Sequence, residues 1–361
     1  MKKTSHGQSE IYFLSAITCL FILLVQVSGM FSFSEGQLLT DITPLTYQIS
    51  QLGIAMFAVI IGLYLFNQQR MNGKEKRFNS SRFFKLALLF VVWSIFYLAL
   101  TKMLTGGKIF TGWEIGLADV AMGNSFYHLY FVSAVLQFLL ISPVLKLVRS
   151  KMGWSLLLVV AAIVNYTFLS IYSPGTSTIS TILEQQGSLT NWIFFFIYGG
   201  FLAYHWENVQ RLAKKLNWLG FVTLIGLIGF TAFSYQGSSL LAQSGWMMIA
   251  IPLMTISLLA IYESVKKVIL LDLFLAAIGK SAGGIYLVFP LVIVVYSNIL
   301  PESMFGGEYF VLVFSLVLGT SVFASRVMEL FPVRYEGKRF RVSDSYMMNH
   351  NSAWHHPNYS R

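Results

Sequence analysis

Apolar residues run along this chain in long blocks separated by short polar segments, and the blocks set the architecture. A bilayer core of about 30 Å takes roughly 20 apolar residues of helix. Windows of that kind fall at about 11–33, 46–66, 84–104, 125–147, 154–173, 190–206, 218–236, 244–263, 272–299 and 308–330. Most are apolar all round, which suits helices buried in a membrane rather than half-buried on a soluble core. None alternates strictly, as a transmembrane strand of about ten residues must. The pattern predicts an all-α polytopic membrane protein with about ten transmembrane helices. No internal repeat interrupts it, so residues 1–330 read as one membrane domain and 331–361 as a polar, basic cytoplasmic tail.

Lysine and arginine collect in cytoplasmic loops, and this bias sets orientation. With the N-terminus inside, 22 of the 25 Lys and Arg fall in inner segments. Lys102 and Lys108 are left outside and Lys280 lies within a span, whereas Glu35, Asp41, Glu114, Asp119, Glu184, Glu302 and Glu308 fall outside. Both termini are therefore expected in the cytoplasm of a cell whose plasma membrane the chain crosses many times. The apolar block behind Lys2 and Lys3 is about 22 residues long and no small-x-small site follows it, so it reads as a retained helix rather than a signal peptide.

Composition sharpens this picture by exclusion. The 361 residues are 56% hydrophobic and 11% charged, too few charges to cover a water-soluble globule. The net charge of +10 is spread over the inner segments, so it fixes topology and is no nucleic-acid footprint. Cys19 is the single cysteine and excludes an intrachain disulfide. No phosphate-binding Gly-rich loop followed by Lys-Ser/Thr occurs, and no His/Glu cluster at helical spacing suggests a metal. His350, His355 and His356 read as part of a solvated tail able to touch anionic lipid.

Several segments, in order, resemble one family. They are EIYFLSAITCLFILLVQ over 10–26, GIAMFAVIIGLYLF over 53–66, and RFFK over 82–85 with an apolar run to Trp93. YHLYF over 127–131, with Gln137 and Pro143, and IGKSAGGIYLVFP over 278–290 follow. From about 8 to 330 the chain is similar to the acyltransferase-3 family of bacterial integral-membrane O-acyltransferases. The resemblance implies transfer of an acetyl, succinyl or similar group from a cytoplasmic donor to a cell-surface or exported polysaccharide. Acyl-CoA would be the donor, with no bound cofactor and no metal. The partners implied are the lipid bilayer, a polysaccharide acceptor and a glycan synthesis or export system.

The family's expected signature is an arginine in the first helix with a histidine eleven residues later. Eleven residues is about three turns, so both groups share one face about 16 Å apart. Here those positions hold Ser15 and Gln26, and in the late signature the usual serine is Ala282 and the usual histidine Phe289. Glutamine forms hydrogen bonds but takes no proton near neutrality. General-base catalysis is worth about 10²–10⁴-fold, so this member is divergent at the positions that carry the chemistry. A catalytically degenerate protein that assists glycan binding, export or an active partner is the alternative the same residues raise.

Two residues are candidates for the catalytic role. Gln26 lies in the outer half of the first span, where a polar group either binds acceptor sugar or makes an interhelical hydrogen bond. His128 opens the fourth span on the outer side, placed either as a substitute base or as an interfacial hydrogen-bonding group. On the donor side the candidates are Arg82 and Lys85, a cationic pair suited to phosphates or to membrane anchoring, and Ser15 at the arginine position. Lys280, Tyr286 and Tyr127 are expected to line a cavity, although Lys280 has the reach to snorkel inward. His205, beside Trp206, reads as an interface anchor.

Overall fold

The computed structural model describes residues 6–31, 52–67, 80–105, 120–168, 183, 185–234, 245–330, 333–335 and 338–340. These form ten long helices, one for each apolar window. They are α1 (His6–Phe31), α2 (Leu52–Asn67), α3 (Ser80–Thr105), α4 (Leu129–Leu145) and α5 (Lys151–Tyr166). Then come α6 (Ile193–Leu216), α7 (Leu219–Ser234), α8 (Met247–Val265), α9 (Ile269–Ile299) and α10 (Phe310–Leu330). A small antiparallel pair, β1 (Val333–Tyr335) and β2 (Lys338–Phe340), sets Arg334 opposite Arg339 at the start of the expected tail. The tail histidines lie outside the described residues.

Among the described residues, five helices are long and apolar enough to cross a bilayer: Gln8–Phe31, Phe83–Leu104, Met247–Val265, Ile269–Ile299 and Gly307–Met328. The pair α6–α7 makes a sixth if taken as one span, bent by 92°, while α2, α4 and α5 are shorter apolar helices. The chain is thus a helical, multi-pass membrane protein.

The largest difference from the hydropathy reading lies at one boundary. The window at 190–206 extends as helix to Leu216, because charge alone does not end a helix. Val209 and Ala213, four residues apart, stay buried while Glu207, Arg211, Lys214 and Lys215 are exposed, so the last turns are amphipathic. Asn217 then takes φ 40°, a positive value uncommon outside glycine and enriched in asparagine, and the chain swings into α7.

The apolar windows of α1 and α9 are each 72% buried, against 22% for α3 and α10. The first pair is therefore the centre of the bundle and the second its lipid-facing edge. Helix α1 packs on α9, α10 and α8; α6 bridges α5 and α8; and α3 lies on α4. Close approach depends on glycine where backbones meet. A Cβ on Gly279 would stand 2.0 Å from the Tyr12 carbonyl oxygen, joining α9 to α1. Gly62 and Gly199 meet in the same way between α2 and α6. Aromatic rings fill the rest: Phe138 stacks on Phe196 at 4.3 Å, and Trp154 meets Phe66 at 4.4 Å over the space Gly200 leaves.

Candidate functional site

The centre of the bundle holds a small cavity between α1, α2 and α9. Cys19, Ile22 and Leu23 of α1 face Ala282, Tyr286 and Phe289 of α9, with Phe57 of α2 on a third side. Its water-accessible volume is about 10 Å³, room for about one water molecule. It lies along α1 between Ser15 and Gln26, and neither belongs to its lining. Ser15 is fully buried and its hydroxyl donates to the Ile11 carbonyl one turn back at 2.8 Å. Gln26 is half-buried.

Two cavity walls, Tyr286 and Phe289, also contact His128. The Tyr286 hydroxyl donates to the His128 carbonyl at 2.6 Å and ties the start of α4 to α9. The imidazole sits among five aromatic rings, 4.9 Å from Tyr97, 5.6 Å from Tyr127, 5.7 Å from Tyr286, 5.8 Å from Phe126 and 5.9 Å from Phe289. Tyr97 is itself fixed, its hydroxyl donating to the Leu287 carbonyl at 2.9 Å. His128 is only 3% exposed, and neither ring nitrogen has a hydrogen-bond partner among the described residues. An unmet buried polar atom costs about 1–3 kcal/mol, so a ring kept here with two such atoms calls for an explanation.

The turn carrying His128 is held rigidly. Gly123 takes φ 81°, a Cβ at this position would run into the Leu129 carbonyl, and the Ser133 hydroxyl donates to the Ala121 carbonyl at 2.6 Å. Gln137 spans α4 and the segment before α6: its amide nitrogen donates to the Gly187 carbonyl at 2.7 Å and its oxygen accepts from the Leu189 amide at 3.0 Å. Gln137→Leu would strand both backbone groups. Its expected cost is about 2 kcal/mol, read as a lower melting temperature in detergent with faster proteolysis at 185–192; an unchanged protein would show that the clamp is dispensable.

Of the residues singled out from sequence, His128, Tyr127 and Tyr286 are brought together. Lys280 is not among the cavity's lining residues; its ammonium lies 5.4 Å over the Tyr12 ring, within cation–π range. Lys85 is half-buried near the start of α3, at the opposite end of that helix's long apolar run from Tyr97. Arg82 is on the same helix, but its side chain is outside the described residues. His205 contacts the Phe201 carbonyl at 3.0 Å and stacks on its ring at 4.1 Å, a local structural role. Among the described residues no cluster of His, Cys, Asp and Glu could hold a metal ion.

Sequence reasoning passed over one pairing. Glu10, 7% exposed near the start of α1, accepts from the Gln210 amide at 2.6 Å, while its other oxygen finds no partner among the described residues. A lone acid at the head of an apolar block was the available signal. Its partner lies 200 residues away.

The model of the acyltransferase domain family Acyl_transf_3 matches residues 10–326. Proteins of Staphylococcus aureus strains MSSA476 and MW2, each named "Probable poly-beta-1,6-N-acetyl-D-glucosamine export protein", are 20% identical to the chain over 216 residues. The match covers 57% of this chain and 59% of each relative, so the chain spans less than two thirds of their length. No solved structure matches it significantly.

Proposed function

The chain belongs to the Acyl_transf_3 acyltransferase family, and on that premise we propose that it is a membrane-bound O-acyltransferase acting on a cell-surface or exported polysaccharide. The observation that carries this reading is His128: a buried imidazole whose two nitrogens have no hydrogen-bond partner among the described residues, packed on Phe289 where the family resemblance places a histidine. In this reading ten helices cross the plasma membrane with both termini cytoplasmic. Acyl-CoA arrives from the inner face, its phosphates met by Arg82 and Lys85, with Ser15 along its route. The acceptor comes from outside.

The chemistry needs a base and a route for one proton. The His128 nitrogen takes the proton of a sugar hydroxyl as that oxygen attacks the thioester carbonyl carbon. The C–O bond forms, the C–S bond breaks, and the imidazolium returns the proton to the leaving thiolate. A new ester and free thiol result. Gln26, on the outer half of α1, contributes hydrogen bonds to the acceptor and no proton transfer.

The test is ester analysis. Surface polysaccharide from a deletion strain should lose base-releasable acyl groups and regain them on complementation. Unchanged ester content would sink the proposal. A second reading is favoured by Ser15, Gln26 and Phe289 standing where the family resemblance places an arginine and two histidines, and by the export role printed in the relatives' names. In it the chain is a degenerate relative that helps move glycan across the membrane. Deletion would then lower the amount of surface glycan while leaving acyl groups per sugar unchanged.

A further inference from the structure

Outside the aromatic box, the turn at 120–128 and the segment at 185–192 form an uncharged shelf. Neither stretch contains a Lys, Arg, Asp or Glu. Tyr127 is 46% exposed, and its ring packs at 4.8 Å on Phe126 and at 5.6 Å on His128, so it roofs the buried imidazole. Phe126 in turn stacks on Tyr97 at 4.4 Å, which gives the roof a rigid support.

Amides lie in the same two stretches as this ring. Asn124 is exposed and its side-chain nitrogen reaches the Gln185 oxygen at 3.4 Å, a long contact. Gln186 is exposed beside them. The backbone beneath is fully engaged: the Gln185, Gln186 and Gly187 carbonyls accept from Asn191 at 3.0 Å, Trp192 at 2.7 Å and Gln137 at 2.7 Å. Met122 and Gly187 are in backbone contact, locking the two segments together. The shelf is therefore preorganised, and binding to it loses little chain entropy.

From this geometry we infer that the shelf is a pyranose-binding subsite, with Tyr127 as the stacking platform and Asn124, Gln185 and Gln186 as its polar rim. A pyranose has one face of C–H groups, suited to an aromatic ring, and an edge of hydroxyls, suited to amides that both donate and accept. The described residues of the shelf carry no charge and the residues that precede its two stretches, Asp119 and Glu184, are acidic, so the sugar is one without an anionic group, such as an N-acetylhexosamine, rather than a uronate or a sugar phosphate. The inference rests on the proposed function in drawing the ligand from an exported polysaccharide. It adds the place where the acceptor sugar is held.

The full chain in nanodiscs, titrated with β-1,6-linked N-acetylglucosamine oligomers and followed by intrinsic fluorescence, tests this. The wild type should bind and Tyr127→Ala should bind about tenfold more weakly, while Tyr127→Phe and Tyr127→Trp retain affinity. Tyr127→Leu, similar in bulk but without a ring, should behave as alanine does if folding is intact by thermal melt. An oligogalacturonate should bind poorly. Wild type that fails to bind, or a Tyr127→Ala protein with unchanged affinity, overturns the subsite. Tyr127-dependent binding with unchanged surface esters in the deletion strain would leave the subsite standing and remove the acyltransferase reading. Gene-dependent esters with Tyr127-independent binding would do the reverse.

Discussion

Gly279→Ala is expected to cost about 3 kcal/mol or more, enough to strip most folded protein from a detergent extract. The added methyl would stand 2.0 Å from the Tyr12 carbonyl oxygen and 2.7 Å from its carbon. Both are backbone atoms, so no side chain can swing aside; α1 and α9 must part by about an ångström. Those two helices are the bundle's centre, and their separation would also loosen the cavity and the Lys280–Tyr12 contact. Small residues at membrane helix interfaces exist to permit this approach. Gly319→Ala on α10 is the control, because a Cβ there meets nothing within 4 Å. It should be neutral or stabilising by up to about 1 kcal/mol from helix propensity. Fluorescence-detected size exclusion after a heating series reads both variants, and a Gly279→Ala protein melting with the wild type would refute the contact.

That contact was half legible in advance. The stretch over 278–290 is rich in glycine, and its role in close helix approach follows from composition, but the partner Tyr12 does not. Helix positions were readable because hydropathy is local: each of the ten windows overlaps a helix. The 190–206 window stopped short since hydropathy ends at the first charges, while the helix continues on the buried pair Val209 and Ala213. His128 could be placed at the head of α4 from sequence. Its box could not, because Tyr97, Phe126, Tyr286 and Phe289 come from three separate parts of the chain and are joined only by packing. The same holds for Glu10 with Gln210, where nothing local to either residue names the other.

His128→Phe separates catalysis from packing more sharply than alanine does. Alanine would empty the aromatic box and confound the two. Phenylalanine keeps a ring against Tyr97, Tyr127, Tyr286, Phe126 and Phe289 and removes two nitrogens that have no hydrogen-bond partner among the described residues. Replacing an unmet polar group by an apolar one of similar shape is close to neutral or stabilising. The melting temperature should therefore hold or rise, and the Tyr286 bond to the backbone carbonyl at position 128 should survive. Acyl transfer should nonetheless fall by about 10²–10⁴-fold, the usual worth of a positioned general base. A protein that is stable and still esterifies glycan would end the case for His128 as the base. One that loses stability with activity would show that the imidazole is held for structure, through contacts its nitrogens make with groups outside the box. Stability retained and transfer lost is the outcome a catalytic histidine requires: in the proposed mechanism, two buried nitrogens without partners among the described residues are tolerated because a sugar hydroxyl meets one of them during turnover.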